Sequence, residues 1–264
     1  MAAARFAEKQ KGLLWFTAAC QHPAVRTKLP NLLGYPSIAS AVTTLLLLTS
    51  PALAAETNRA HYFQYEPDIR AFEAADKTNP PPKNAVLFIG SSSIRKWTSA
   101  PAQFPEHKTI NRGFGGSYLS DSVAFAERVV IPYRPKLIVL YAGDNDIAGG
   151  QMPEEVLRAF KAFVAKVHKG LPQTKIAFIS IKPSPSREKF LDQGQEANRL
   201  IHEFISTDPR LIYIDVFTPM RTADGHTRGE LFVSDRLHLN EAGYELWAAI
   251  VKPVLDKVDP PNPQ

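Results

Sequence analysis

From residue 85 onward, short continuous apolar runs alternate with longer stretches whose apolar residues recur at helical spacing. That alternation leaves few folds open. A strand apolar at every position must be covered on both faces, and successive strand–helix–strand units cover a parallel sheet on both faces as it is built. The runs are AVLFI (85–89), LIVLY (137–141), IAFIS (176–180) and the more alternating LIYID (211–215), with Thr109–Asn111 as a weaker fifth candidate. Between them, SDSVAFAERVV, PEEVLRAFKAFVAKVH, GQEANRLIHEFI and NEAGYELWAAIVKPVL carry the helical period. Pro153 suits the first turn of its helix, where Glu154 and Glu155 lie beside the positive end of the dipole. The expected architecture is a single three-layer α/β domain over residues 85–258. Ahead of it, YEPDIRAFEAADK reads as a helix that ends at the Asn79–Pro82 run, so residues 55–84 form an N-terminal helix and a proline-rich connection.

With 264 residues, 44% hydrophobic and 22% charged, the chain can bury a full core, which excludes disorder along its whole length and a multi-span membrane protein. The net charge of +5 suggests nucleic acid only until it is located. Residues 1–54 hold Arg5, Lys9, Lys11, Arg26 and Lys28 against Glu8 alone, and the remainder carries 26 basic and 25 acidic residues. The folded part therefore has no basic excess of the kind a phosphate backbone selects, and nucleic acid is not an expected partner. Between Pro36 and Pro51, SIASAVTTLLLLTS is shorter than the roughly 18 residues of a spanning helix and reads as the apolar region of an export signal. Ala52-Leu53-Ala54 supplies the small-x-small cleavage pattern, so residues 1–54 are expected to be a leader and Ala55 the first mature residue. The expectation is an exported protein, periplasmic or secreted, with no membrane span in the mature form; an uncleaved N-terminal anchor is the alternative. Cys20 is the sole cysteine and lies in the leader, so thiol nucleophiles, zinc-thiolate sites and disulfides are excluded from the mature part.

In open parallel sheets ligands bind beyond the carboxyl ends of the strands, where loops and helix N-termini converge. The loops there read Gly90-Ser91-Ser92-Ser93, Asn111-Arg112-Gly113-Phe114-Gly115-Gly116, Gly143-Asp144-Asn145-Asp146 and, before the last helix, Asp235-Arg236-Leu237-His238-Leu239-Asn240. One serine of the triplet can act as a nucleophile if a base removes its proton, and His238 is the candidate base. Asp235, three residues earlier, can hold the imidazole tautomer. Gly115-Gly116 offers backbone N–H groups with no β-carbon to block a carbonyl, and Asn145 offers an uncharged amide donor. Singly, each feature also reads as an ordinary cap or turn; their joint occurrence at four carboxyl ends is what points to acyl transfer. No metal and no cofactor are expected: no histidine has a second at ligand spacing, and His202-Glu203 lacks the histidine four residues after the first. Ile94 stands where a Gly-x-Ser-x-Gly elbow needs glycine. The proline-rich Lys182–Arg187 loop should border the site, with Arg187 a candidate contact for an anionic group.

Taken in order, FIGSSSIRKW, NRGFGG, GDND and DRLHLN resemble the four blocks of the SGNH, or GDSL-like, family of esterases and acylhydrolases. The resemblance spans residues 86 to about 250. It implies a flavodoxin-like sheet of five parallel strands. It also puts the nucleophile at Ser92, with Ser93 the neighbouring alternative, the oxyanion-hole donors at Ser92, Gly116 and Asn145, and the acid and base at Asp235 and His238. The first block departs from the usual Gly-Asp-Ser, since Ser91 takes the place of the aspartate. The implied activity is a cofactor-free serine hydrolase that forms an acyl-enzyme from a small-molecule, carbohydrate or lipid ester, short acyl groups being favoured because little sequence is left for a lid. A non-catalytic domain that cradles an anion or sugar phosphate at the serine turn is the competing reading.

Overall fold

A computed structural model describes residues 61–260; the expected leader, the expected cleavage point and the last four residues lie outside them. Five parallel strands form one sheet in the order 2-1-3-4-5: β1 (Val86–Gly90), β2 (Thr109–Gly113), β3 (Leu137–Tyr141), β4 (Lys175–Ile179) and β5 (Leu211–Ile214). All five occur where the apolar runs lie. β2 continues past Asn111 to Gly113, paired residue by residue with β1.

Alternation along each strand feeds two separate cores. Leu87, Ile89, Ile138, Leu140, Ile176 and Phe178 face one layer, packed by α1 (Glu66–Thr78), α4 (Leu119–Val129), α6 (Pro153–Gly170) and α7 (Leu191–Ile205). Val86, Phe88, Val139, Tyr141, Ala177 and Ile179 face the other, packed by two short turns of helix, α2 (Ser92–Arg95) and α3 (Ala100–Gln103), and by α8 (Glu241–Val258). Because both faces are covered, no strand position on β1 or β3 could be polar without burying an unpaired group.

Helix α1 starts at Glu66 with Pro67 in its first turn and ends at Thr78, before the prolines, as the pattern predicts. It is packed on the sheet, with Ile69 and Tyr65 buried in the same core as Leu87 and Ile138. Arg128 of α4 reaches Glu73 at 2.7 and 2.8 Å and Glu66 at 2.8 Å, and Arg112 of β2 bonds Asp76.

The strand order sends the chain from β1 to one side to form β2, then back past β1 to form β3. Loops leaving β1 and β3 therefore diverge, and a crevice opens at the carboxyl edge between them. Asn145 follows β3 and the serine triplet follows β1, so they flank this crevice.

Candidate active site

Gly90 ends β1 at φ 135°, turning the chain out of the sheet while Ser91 N–H still donates to Tyr141 O at 3.0 Å. α2 begins at once. Its short turn sends three successive serines in different directions, so that Ser91 and Ser93 are buried and Ser92 alone is partly exposed. The turn is held from below: Tyr244 Oη donates to Ser93 O at 2.9 Å, and Asn111 Nδ2 donates to Ile94 O at 2.7 Å. Trp97, fully buried, packs against Phe88, Phe104, Tyr244 and Trp247, whose ring centroids lie 5.4 to 5.7 Å from its own.

His238 arrives from the other end of the domain. Its Nε2 lies 3.0 Å from Ser92 Oγ, and its Nδ1 lies 2.6 Å from Asp235 Oδ2. Arg236, at φ 57°, lets the chain double back within three residues, and Asp235 Oδ1 accepts the N–H groups of Leu237 and His238, both at 2.9 Å. The His238 N–H, then its imidazole, then the Leu237 N–H hold the Asp235 carboxyl well below the usual carboxylate range. Asp235 does not cap α8; Asn240 does, accepting Gly243 N–H at 3.0 Å.

The glycine loop after β2 lies against the serine turn, since a Cβ on Gly115 would stand 4.0 Å from Ser92 Cβ. Gly116, at φ 77°, has no atom within 4 Å of the position a Cβ would take, and its carbonyl is turned away to accept from Tyr65 Oη at 3.2 Å. The backbone N–H groups of Ser92 and Gly116 donate to no protein acceptor among the described residues. Asn145 is the second residue of α5 (Asp144–Ala148), which starts after Gly143 at φ 117°. Its Nδ2 donates to Ser117 O at 3.0 Å, joining the loop after β3 to the loop after β2. All four sequence segments are thus linked to one another.

Three charged side chains near the site take parts that the motifs did not assign them. Arg187 is turned inward: its Nη2 donates to Asn145 Oδ1 at 2.7 Å, and its Nη1 lies 3.0 Å from Asp144 Oδ2, an ion pair without hydrogen-bond alignment. Lys182 is buried with Nζ 3.4 Å from the same Asp144 oxygen, and burial pushes its ammonium down. Asp146, fully buried, accepts Leu119 N–H at 3.0 and 3.2 Å and so satisfies the N-terminus of α4. A lone arginine in a loop and an aspartate among polar residues carry no periodic signal, and only contact reveals what each one bonds.

Burial pushes the Asp146 carboxyl up to about 7, outweighing the Leu119 N–H that favours its ionised form. The folded state holds a proton that the unfolded state has already released, so this group's contribution to stability falls as pH rises from about 4 to about 7 and is level above that. Neighbouring Asp121, also raised mainly by burial, adds the same sign. Asp208, pulled to about 2 by Arg210, acts only in more acidic solution. Urea unfolding at pH 4.5, 6 and 7.5 is expected to show a wild-type decline over this range that is smaller in Asp146→Asn. Equal slopes in the two chains would show that the carboxyl is not raised.

Fold and rim together define a three-layer α/β hydrolase with its polar groups on loops beyond the carboxyl edge of a flavodoxin-like sheet. Residues 87–246 match the model of the GDSL-like Lipase/Acylhydrolase family, and the chain belongs to that family. Among solved structures, a Streptococcus pneumoniae protein is 23% identical with a TM-score of 0.66, covering 78% of this chain and 100% of its own. A GDSL-like lipase from Bacteroides thetaiotaomicron is 22% identical with a TM-score of 0.60, covering 75% of this chain and 98% of its own. A carbohydrate esterase family 3 protein from Talaromyces cellulolyticus is 16% identical with a TM-score of 0.54, covering 66% and 96% respectively. At these identities the likeness is one of fold. Among curated protein sequences none is significantly similar. Among the described residues no helix is long and apolar enough to cross a membrane, and no three His, Cys, Asp or Glu side chains are grouped to hold a metal ion.

Proposed function

We propose that this family member is an exported serine hydrolase of carboxylic esters, with Ser92 as nucleophile, His238 as base and acid, and Asp235 as the partner that fixes the imidazole. The observation that carries the reading is the continuous chain from Asp235 Oδ2 through His238 to Ser92 Oγ, with steps of 2.6 and 3.0 Å. Ser92 Oγ attacks the ester carbonyl as its proton passes to Nε2. Asp235, ionised, stabilises the imidazolium that forms. The backbone N–H groups of Ser92 and Gly116 and the Asn145 amide receive the oxyanion. Collapse of the tetrahedral species expels the alcohol, which takes the proton back from Nε2. Water then attacks the acyl-enzyme with His238 again as base, releasing the acid and restoring the serine. A simple anion cradle on the four-residue α2 would give the imidazole and its carboxylate no task.

The acyl group is proposed to be short. The longest loop on this edge, between β5 and α8, is folded back on itself by antiparallel bridges at Arg221–Thr227 and Phe232–Leu239, which leaves little free chain for a lid and supports an open site. Domain limits at residues 85–258 and a leader cleaved after Ala54 belong to the same proposal, on the patterns in the sequence.

Labelling with a fluorophosphonate in the organism that makes the protein, followed by mass spectrometry, tests the whole reading. The expected adduct is on Ser92, in a chain that begins at Ala55. An adduct on Ser93, or none beside measurable ester turnover, rejects the assigned nucleophile, and faster hydrolysis of a long-chain than an acetyl ester rejects the short acyl group.

A further inference from the structure

A carboxamide serves an oxyanion in only one of its two orientations. Rotated by a half-turn about its last bond, Asn145 would occupy nearly the same space but aim oxygen lone pairs where the N–H must be. Something in the protein has to break that near-symmetry. Ser117 O, 3.0 Å from Nδ2, does part of it, since a carbonyl accepts from the amide nitrogen and repels the amide oxygen. The other part falls on Arg187, whose Nη2 stands 2.7 Å from Oδ1.

Arg187 lies in the 3-10 segment Pro185–Phe190 that follows β4, and its own backbone, at φ −121° and ψ 22°, leaves the helical region there. Its side chain is 21% exposed, with Nη1 3.0 Å from Asp144 Oδ2. The guanidinium fork therefore spans two consecutive residues of one loop, Asp144 and Asn145. A lysine ammonium, a single point charge, lacks that planar fork. The segment is also tied to the histidine turn, because Ser186 N–H donates to Arg236 O at 3.1 Å.

Resting on the ester-hydrolase reading above, we infer that Arg187 is a positioning residue for the oxyanion amide: it holds Asn145 with Oδ1 inward and Nδ2–H toward the reacting carbonyl. A half-turn of the amide would bring an NH2 group against the guanidinium and an oxygen against Ser117 O, losing both hydrogen bonds at once. A cation on Oδ1 also polarises the amide, so its remaining N–H is a stronger donor to a developing negative charge. Neither effect depends on contact with the substrate, so it should be felt in turnover more than in binding.

The test is a double-mutant cycle in the full chain with a short-chain aryl ester. Arg187→Met is expected to lower kcat by about 10-fold to 100-fold, less than the roughly 100-fold to 1,000-fold expected when an oxyanion donor itself is removed. KM should stay within about threefold if the interaction strengthens only in the transition state. Arg187→Lys should recover part of the loss. In an Asn145→Ala background, where no amide is left to orient, Arg187→Met should change kcat by less than about threefold. A merely structural role would lower activity by the same factor in both backgrounds, and that result overturns the inference, as does wild-type kcat in Arg187→Met. Should the methionine chain not fold, Arg187→Lys supports the same comparison, with a loss confined to the background that retains Asn145. Ser92→Ala, run alongside, separates the two claims: wild-type turnover in that variant removes the serine-hydrolase reading, whereas its inactivity beside an unaffected Arg187→Met removes only the role given to Arg187.

Discussion

Ser92→Ala is expected to lower kcat for a short-chain aryl ester by about 10⁴-fold to 10⁶-fold, while Ser93→Ala stays within about tenfold of wild type. The contrast comes from where one helical turn sends adjacent side chains. Ser93 is 1% exposed, and its carbonyl is held by Tyr244; Ser91 is fully buried, and its Oγ has no hydrogen-bond partner. Only Ser92 meets an imidazole, at 3.0 Å. Without its Oγ no acyl-enzyme can form, and what survives is the catalysis that the oxyanion donors and His238 give to a direct attack by water. KM should change little, because one hydroxyl contributes little to ground-state binding. Steady-state kinetics on both variants, with circular dichroism to show that each is folded, checks the pair. Turnover in Ser92→Ala within tenfold of wild type would refute the mechanism.

Gly90→Ala is expected to abolish folding, or to destabilise the domain by more than about 4 kcal/mol, out of the roughly 5–15 kcal/mol a native domain has in total. Two independent effects add here. A φ of 135° is a conformation that residues with a β-carbon rarely adopt, and the new atom would stand 1.8 Å from Tyr141 O and 2.7 Å from Tyr141 C. Those are backbone atoms of the central strand β3, which cannot move without breaking the register that pairs Gly90 with Tyr141. Gly150 gives the comparison. It too has a positive φ, 91°, but nothing lies within 4 Å of its Cβ position, so Gly150→Ala should cost only about 1–2 kcal/mol of backbone strain. Urea unfolding of the two variants, with soluble yield as a second readout, separates strain from collision. Similar stabilities would mean that the contact at Gly90 is relieved by a backbone shift.

The strands were legible in proportion to their burial. β1 and β3 are central, buried at every position, and read as unbroken apolar runs. The two least regular segments, Thr109–Asn111 and LIYID, became β2 and β5, the two edge strands, where one side has no neighbour and some positions are only half-buried. Sequence pattern is weakest where the sheet stops. Helix ends followed prolines and acidic first turns closely, but α7 starts at Leu191, three residues before the periodic stretch, because Pro185–Phe190 leads into it as a 3-10 segment with no period of its own.

Some properties of this protein needed nothing beyond the order of its residues. Parallel strands sheathed on both sides, a serine, a glycine and an asparagine each placed just after a strand, and a histidine placed just before the last helix are all local patterns, each written within a few residues. Other properties arise only when distant segments touch. Which of three serines meets the imidazole 146 residues away, which way Asn145 turns its amide, and why Asp146 keeps its proton nearer neutrality depend on contacts between loops. The physical reason is range: backbone propensity and periodicity act over a turn or two of chain, whereas hydrogen-bond pairing and burial belong to the neighbours that the fold supplies.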